Sequence, residues 1–364
     1  MKILHVLYSG LGGHGNVFFS MVDADEQGEF TFEALFNGIE EVKAEYIEHC
    51  TAKNIPWHFI PKKPGLDIPY FARLYRQIKK ARPGIIFLHG GAAAIPAKLA
   101  KITGTGIQKI IVRETQANHL KTRIDWFYLA TAMLLADKMV YLSEAYRQQV
   151  KAKLTWLFRE KRSVVIPNGI NLLTYGKTTK PHDASRVVLG MQSRLIDIKD
   201  HLTLLDAFAL LLKKEMPVTL QLQIAGDGAF KKTLEEKAAA LQITNQVIFT
   251  GMLEEKELVD FLQQLDIYIH ASLGETMSTA IMQAMACGKP IIASDVPGID
   301  NMIEHDITGI LVPAKNAVAL AAAIERLINN PHLADKLADN AFTFAQTNYS
   351  GKKMLDNYKD IFTN

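Results

Sequence analysis

The 364-residue sequence predicts two α/β domains, each a parallel sheet with helices on both faces. Short apolar runs of strand length alternate with segments of helical periodicity along the chain. The alternation is interrupted by one polar stretch, residues 171–185, which we interpret as a linker. Two such domains are expected to leave a cleft between them, where ligands usually bind.

Short apolar runs of six to nine residues define the strands of both predicted sheets. In the first half they cover residues 2–8, 30–36, 84–90, 109–114, 138–143 and 163–169. In the second half they cover residues 186–193, 220–228, 246–251, 267–272, 289–295 and 308–313. Helical periodicity fills the intervals, as in 200–214. We therefore predict a first domain at 1–170, a second at 186–345, and a C-terminal helix within 346–364 that returns to the first domain.

Composition excludes several classes of protein. The chain is 48% hydrophobic and 22% charged, as in globular proteins. Cys50 and Cys287 form neither a disulfide framework nor a metal-ligand pattern, which suits a reducing compartment. No signal-peptide core follows the N-terminus, and the longest apolar stretch, 127–136, is too short to span a bilayer. We expect a cytoplasmic protein.

The net charge of +3 is divided unevenly. Residues 1–180 carry 25 basic and 15 acidic side chains, and residues 181–364 carry 16 and 23. Two basic amphipathic segments, 70–82 and 146–162, are predicted to be helices. Their cations suit the anionic inner face of a cell membrane, which we expect the first domain to contact. The alternative is that their apolar faces pack on the sheet and their charges are only solvated; no nucleic-acid partner is expected.

A glycine motif follows the first strand. Gly10, Gly12 and Gly15 spell G-x-G-x-x-G, the pattern of a dinucleotide-binding turn. That function also needs a carboxylate at the end of the second strand, where this chain has Asn37 and Gly38.

We therefore interpret the glycine motif as an anion-binding turn. Gly12, Gly13 and His14 would form a mobile loop facing a donor phosphate. The alternative is a tight strand-to-helix turn that binds nothing.

From residue 163 onward the sequence resembles the retaining glycosyltransferases of family 4. "SVVIPNGIN" (163–171) is similar to their "vvIPNGvD", and "IAGDG" (224–228) matches as it stands. Residues 266–303 resemble their donor-site block, and "ADKMVYLSEAYRQQV" (136–150) is similar to "aDrvvavSe". The resemblance implies the GT-B architecture, with two Rossmann-like domains, a nucleotide-sugar donor, and neither cofactor nor metal.

Arg194 and Lys199 are the predicted phosphate-binding cations. They follow a strand and lie five residues apart, so both could reach one diphosphate. The alternative is surface charge, but the start of a helix is an unfavourable place for cations. By resemblance, Glu275 is the first carboxylate of the family's E-x7-E pair and contacts the transferred sugar. Its alternative is an acid that stabilises a helix dipole.

Backbone groups complete the expected donor site. Residues 276–280 should open a helix whose N–H groups at Met277, Ser278 and Thr279 face the diphosphate. Gly226 would turn the chain beside the cleft.

The resemblance assigns the remaining donor contacts. It places nucleobase contacts at Gly251 and Met252. At the second carboxylate position, which binds ribose in the family, this chain has Gln283, so we expect weakened or altered ribose contacts.

The acceptor side is less defined. Where many relatives carry a histidine beside the reacting sugar, this chain has Arg113 and Glu114, and His119 follows some residues later. His89 ends a predicted strand and is our candidate catalytic histidine. A lone histidine in such a place also occurs as a structural residue.

The sequence thus predicts a metal-independent, retaining glycosyltransferase. It would move a sugar from a nucleotide-diphosphate donor, with UDP-sugars the commonest among relatives, to a glycan or lipid-linked acceptor in surface polysaccharide or glycolipid synthesis. A non-catalytic nucleotide-sugar-binding subunit is the alternative, because Gln283 departs from the family. A dinucleotide oxidoreductase has only the glycine motif in its favour.

Overall fold

A computed structural model describes residues 1–10, 13–65, 67–104, 106–177 and 185–363. The chain divides into two compact units. Unit 1 comprises Met1–Asn171 and Gly351–Asn364, and unit 2 comprises Leu172–Ser350.

Unit 1 is built on a parallel sheet. Its strands are β1 (Lys2–Tyr8), β2 (Thr31–Gly38), β3 (Trp57–Pro61), β4 (Ile85–Leu88), β5 (Lys109–Arg113), β6 (Lys138–Tyr141) and β7 (Ser163–Val165). Its helices are α1 (Gly13–Ala24), α2 (Ala44–Ala52), α3 (Ile68–Ala81), α4 (Ala94–Ile102), α5 (Arg123–Leu135), α6 (Glu144–Lys153) and the last helix of the chain, α13 (Gly351–Thr363). Among the described residues the strand order is β3-β2-β1-β4-β5-β6-β7, and every pair is parallel.

Alternate residues of β1 enter two different cores of unit 1. Leu4 and Val6 pack in the cluster that contains Leu74 of α3 and Leu129 of α5. Ile3 and Leu7 pack on the opposite face, in the cluster that contains Phe18 and Tyr358. The two-residue period of a strand therefore explains why this sheet is covered on both faces.

Unit 2 has a second parallel sheet. Its strands are β8 (Arg186–Gln192), β9 (Thr219–Ala225), β10 (Val247–Gly251), β11 (Ile267–His270), β12 (Ile291–Asp295) and β13 (Ile310–Pro313). Its helices are α7 (His201–Leu212), α8 (Lys231–Ala240), α9 (Glu255–Gln264), α10 (Thr279–Ala286), α11 (Ala317–Ile328) and α12 (Pro331–Asn348). Within the described ranges the strand order is β10-β9-β8-β11-β12-β13.

The predicted α/β class with two parallel sheets is confirmed, but two elements differ from the sequence expectation. No strand was predicted between β2 and β4, whereas β3 pairs with β2 at the edge of the sheet. Only Ile60 of β3 is buried. In the sequence, His58 interrupts the apolar residues of this segment, so the segment lacks the continuous apolar run of a central strand.

The predicted helix over 146–162 was also wrong in its extent. Helix α6 ends at Lys153, and Leu157 and Phe158 turn into the core of unit 1.

Candidate functional site

The candidate donor site of unit 2 lies where its strand order reverses. Strand β8 is flanked by β9 on one side and by β11 on the other, so the loops after β8 and β11 leave the same sheet edge in opposite directions. The two loops are hydrogen-bonded, because the Leu273 N–H donates to the Ile198 carbonyl (2.8 Å). Parallel α/β sheets bind ligands at such a switch point.

Glu275 is the centre of this site. Its Oε1 atom accepts from the Lys199 ammonium, and His270 Nε2 lies 3.0 Å from the same oxygen. The side chains of Lys199 and Glu275 are 13% and 16% exposed, so the pair is shielded yet reachable from solvent. Arg194 is exposed, and within the described part of the chain no carboxylate lies within ion-pair distance of it.

The charges of this cluster set its protonation. Burial alone would raise the pKa of Glu275, but the Lys199 charge and the hydrogen bond with His270 lower it to about 2. Burial lowers the pKa of His270, the Lys199 charge adds to this effect, and Glu275 opposes it. The ligand-free site therefore holds an ionised carboxylate between an ammonium and a neutral imidazole.

Glycines form the neighbouring turns of unit 2. Gly226 has φ +134°, and a Cβ there would overlap the carbonyl oxygen of Ser193. Its N–H donates to the Gly251 carbonyl (2.8 Å), which ties the ends of β9 and β10 together. Met252, next along the chain, is 54% exposed. The glycines thus allow the chain after β9 to pack closely against Ser193, the first residue after β8, and against the end of β10. We refer to this part of the backbone as the edge formed by Gly226, Gly251 and Met252.

The backbone donors expected at residues 277–279 are arranged differently from the prediction. Helix α10 begins at Thr279, and Ser278 is its N-cap, with an extended backbone and a side chain that accepts from the Ile281 N–H (3.4 Å). The Ser278 N–H donates to the Met302 sulfur (3.2 Å), a weak acceptor. The helix expected to open within residues 276–280 begins at Thr279, because the Ser278 side chain caps it at that point.

Gln283 is buried and held by protein groups. Its Nε2 donates to the Tyr175 hydroxyl (2.7 Å), and its Oε1 accepts from Gln192 Nε2 (3.1 Å). Gln192 Oε1 is itself buried and has no hydrogen-bond partner among the described residues. The amide that replaces the family's second carboxylate thus completes a side-chain pair with Gln192.

In unit 1, the glycine motif ends inside a helix. Gly13 and His14 form the first turn of α1, and His14 Nε2 lies 3.0 Å from Thr115 Oγ1, whereas a loop was expected there. Gly12 lies outside the described residues. A Cβ at Gly15 would overlap the Tyr46 ring, so the third glycine permits close packing of α1 on α2.

His89 and Arg113 belong to a buried polar cluster. His89 Nε2 lies 3.1 Å from His5 Nδ1, and Arg113 Nη1 lies 3.3 Å from His89 Nδ1. Arg113 Nη2 donates to Asn168 Oδ1. Burial and the Arg113 charge hold the pKa of His89 well below its usual range. Since both ring nitrogens of His89 have protein partners, its geometry favours the structural alternative.

The structure does not bring the three acceptor-side candidates together. Arg113 packs in its polar cluster with His89, while Glu114, also buried, pairs with Lys121 (3.3 Å) and accepts from the Tyr146 hydroxyl (3.2 Å). His119 is exposed in the 3₁₀ turn Asn118–Leu120.

Several site residues were missed by sequence reasoning, His270 and His5 above all. His270 is the last residue of the otherwise apolar strand "IYIH", and His5 lies in the middle of "KILHVLY". A histidine on a buried strand face needs a polar partner, and this signal could have identified both.

Two family models match the chain. "Glycosyltransferase Family 4" matches residues 12–172, and "Glycosyl transferases group 1" matches residues 177–344. Together they account for both units.

Named relatives agree with these models. An uncharacterized glycosyltransferase of Methanocaldococcus jannaschii, MJ1069, is 28% identical over 67% of this chain and 64% of its own length. The alpha-monoglucosyldiacylglycerol synthase of Streptococcus pneumoniae is 30% identical over 64% of this chain and 57% of its own length. The alignments thus span less than two thirds of each relative.

A solved structure shows the same fold. Anabaena Alr3699/HepE, determined in complex with UDP and glucose, superposes with a TM-score of 0.84 at 19% identity, covering all of both chains. Among the described residues of the present protein, no helix is both long and apolar enough to traverse a bilayer.

Proposed function

Because the chain belongs to the group 1 glycosyltransferases of family 4, with the GT-B architecture, we propose that it transfers a sugar from a UDP-sugar to a glycan or lipid-linked acceptor with retention of configuration. The observation that carries the proposal is the Lys199–Glu275 ion pair at the switch point of unit 2, with the exposed Arg194 in the same loop after β8 as Lys199. The UDP and glucose bound by HepE support the donor class.

Each residue of the cluster has a proposed role. Arg194, which is exposed and without an ion-pair partner in the described ranges, binds the diphosphate directly. Lys199 breaks its ion pair with Glu275 and binds the same diphosphate. The Glu275 carboxylate then contacts the sugar. These two cations, rather than a metal ion, stabilise the departing diphosphate in this proposal. The leaving phosphate accepts the acceptor proton.

Backbone groups complete the proposed donor contacts. The edge formed by Gly226, Gly251 and Met252 contacts the nucleobase, and Met277 and Ser278, together with Thr279 at the start of α10, face the diphosphate. Gln283 positions Gln192 by accepting a hydrogen bond from its side-chain amide. The Gln192 Oε1 atom, which has no hydrogen-bond partner among the described residues, then accepts a hydrogen bond from a ribose hydroxyl.

On the acceptor side, we assign unit 1 residues less direct roles. Gly12, Gly13 and His14 contact the donor phosphate in this proposal, Gly13 and His14 from the first turn of α1. Arg113 and His89 are almost fully buried and act indirectly: Arg113 holds Asn168, and His89 holds Arg113. Glu114 orders the segment before α5 through Lys121, while the exposed His119 is available to the acceptor.

The acceptor proposal includes contact with the inner face of a membrane. Most apolar residues of α3 and α6 are buried or half-buried, and basic side chains outnumber acidic ones on the rest of both helices. Helix α5, however, exposes Ile124, Phe127 and Leu134 in one row, with exposed fractions of 63, 61 and 58%. The adjacent α4 exposes a second apolar row.

Cations border this apolar face. A groove at the end of α5 is lined by Met133, Leu134 and Leu157 and by the exposed cations Arg159, Lys161 and Arg162. Glu160 also lines the groove, but no carboxylate among the described residues pairs with Arg159, Lys161 or Arg162. Apolar side chains beside such cations are complementary to a bilayer that contains anionic lipid. The glycolipid product named for the pneumococcal relative supports the same acceptor class.

Vesicle sedimentation tests the membrane contact. Wild-type protein should co-sediment with vesicles containing phosphatidylglycerol and not with vesicles of phosphatidylcholine alone. Phe127→Ser and Ile124→Ser should each weaken binding several-fold, because each removes an apolar side chain from the bilayer, while Val318→Ser, an exposed apolar position of unit 2, should not. Unchanged vesicle binding by both unit 1 variants would refute this surface, and loss of a dimer instead would assign it to self-association.

Turnover tests the activity itself. The protein should release UDP from UDP-glucose or another UDP-sugar in the presence of a diacylglycerol or glycolipid acceptor. Arg194→Ala should lower this rate by about two orders of magnitude without unfolding the protein, since it removes charge stabilisation from the leaving group. Absence of binding to any of a panel of UDP-, GDP- and ADP-sugars would refute the proposal.

A second candidate function, a non-catalytic nucleotide-sugar-binding subunit, is favoured by one observation. Position 283 carries a glutamine instead of the family's usual carboxylate, and the amide of this glutamine is hydrogen-bonded to Tyr175 and Gln192. Binding of UDP-sugar without turnover, with turnover gained in Gln283→Glu, would support this second candidate.

A further inference from the structure

The Glu275 carboxylate has two partners that compete for one oxygen atom. Lys199 Nζ and His270 Nε2 both contact Oε1, His270 from a fully buried position on β11. Lys199 is the partner that the proposed function requires to leave, because a diphosphate attracts it. His270 cannot follow, since it is fixed within a strand.

We propose that His270 is a positioning residue that takes over the Glu275 carboxylate, by binding a proton, when Lys199 turns to the diphosphate. This inference rests on the proposed function for its trigger. The inference goes beyond the proposed function because it couples donor binding to the uptake of a proton by His270, a residue that never contacts the donor.

The hydrogen bonds around His270 suit both protonation states. In the neutral ring, Nε2–H donates to Glu275, and Nδ1 accepts from the Tyr268 hydroxyl (3.1 Å). When a proton from solvent binds Nδ1, Nδ1–H donates to the Tyr268 oxygen, and the Tyr268 hydrogen turns to the Gln192 carbonyl oxygen, 3.4 Å away. Among the described residues, the two ring nitrogens of His270 and the Tyr268 hydroxyl therefore keep a hydrogen-bond partner in both protonation states.

The ionisable groups around His270 determine the sign of the coupling. Lys199 disfavours the imidazolium and Glu275 favours it. The groups packed against His270 from its own and neighbouring elements are Tyr268, Glu275, Lys199, His201 and Lys315. Of these, only Lys199 is expected to move on donor binding. Its departure leaves a carboxylate beside the ring with less opposing positive charge, so the proton affinity of His270 rises.

A ligand-free experiment tests the residue itself. Nitrogen chemical shifts of labelled histidines, with His270 assigned from His270→Gln, report its protonation against pH. In wild type, His270 should stay neutral, with the proton on Nε2, at pH 6. In Lys199→Gln its midpoint should rise by at least about one pH unit, a tenfold gain in proton affinity. An unchanged midpoint in Lys199→Gln would overturn the inference.

A ligand-binding experiment tests the coupling. Titration of wild type with UDP-glucose in two buffers of different ionisation enthalpy, near pH 6.5, should show net proton uptake. His270→Gln, which keeps a donor to Glu275 but cannot titrate there, should bind UDP-glucose without that uptake, and the exposed control His332→Gln should behave as wild type. Equal proton uptake by wild type and His270→Gln would overturn the inference. Failure of wild type to bind UDP-glucose would instead count against the proposed donor, and the ligand-free titration would still decide the role of His270.

Discussion

Replacing Glu275 with glutamine should destabilise unit 2 in a pH-dependent manner. The carboxyl has a pKa of about 2 in the folded protein against an ordinary value of 4.5. This difference corresponds to about 3 kcal/mol of stabilisation near neutral pH. Glutamine keeps the shape and one acceptor but loses the charge that Lys199 and His270 contact. We expect Glu275→Gln to lower the free energy of unfolding of unit 2 by up to that amount at pH 7.

The sign of the pH dependence follows from the lowered pKa. Above pH 4.5 both folded and unfolded carboxyls are ionised, so the stabilisation is fully present. As the pH falls toward 2, the unfolded state binds the proton first, and the stabilisation is lost. About 1 kcal/mol should already be lost at pH 4. The difference between wild type and Glu275→Gln should therefore shrink by that amount from pH 7 to pH 4.

The chain offers an internal control for this measurement. Trp57, Trp126 and Trp156 all lie in unit 1, so tryptophan fluorescence follows urea unfolding of unit 1, while circular dichroism follows both units. Glu275→Gln should shift only the transition that circular dichroism alone detects. Adding Lys199→Met to the variant should restore part of the loss by removing the ammonium left without its partner. An equal effect of Glu275→Gln at pH 7 and pH 4, or a shift in the fluorescence transition, would refute this reasoning.

Three further predictions concern other parts of the molecule. Gly226→Ala should destabilise unit 2 by several kcal/mol, because its φ is +134° and a Cβ would overlap the Ser193 carbonyl, whereas Gly176→Ala, with open space around it, should leave the thermal midpoint unchanged. Burial chiefly lowers the pKa of His5 to about 3. The unfolded state therefore binds this proton first, so acidification from pH 7 to 5 should cost unit 1 about 2 kcal/mol through His5 alone, and His5→Phe should reduce the loss by about that amount in urea titrations followed by fluorescence. Gln283→Glu should fold normally and tighten UDP-sugar binding several-fold by calorimetry, since both side chains around it can donate to a carboxylate; weaker binding would contradict the ribose role.

Much of the fold could be predicted because parallel strands buried on both faces have apolar sequences. The segment "IIFL" of β4 and "IYIH" of β11 are fully buried, and both were found from the sequence. Strand β3 was not, because an edge strand can keep exposed polar residues and still pair with β2. Local sequence also could not show that α6 would end at Lys153. The burial of Leu157 beyond that end depends on tertiary packing.

The candidate site was only partly predictable for a related reason. Motif spacing identified Lys199 and Glu275 separately, but nothing in the sequence shows that they form an ion pair in the absence of a ligand. The amide pair of Gln283 and Gln192 joins residues 91 positions apart, and His270 lies beneath Glu275 only because β11 and the loop after it fold back on each other. Such contacts depend on the sheet topology.

The central claim is that the loop after β8 binds the diphosphate of a UDP-sugar through Arg194 and Lys199. Calorimetric titration with UDP and with UMP tests it most directly, because the two ligands differ only in the second phosphate. Wild type should bind UDP at least about tenfold more tightly than UMP, which is about 1.4 kcal/mol, and Arg194→Ala should remove most of that difference while leaving UMP binding nearly unchanged. Equal affinities for UDP and UMP in wild type, or an undiminished difference in Arg194→Ala, would contradict the account.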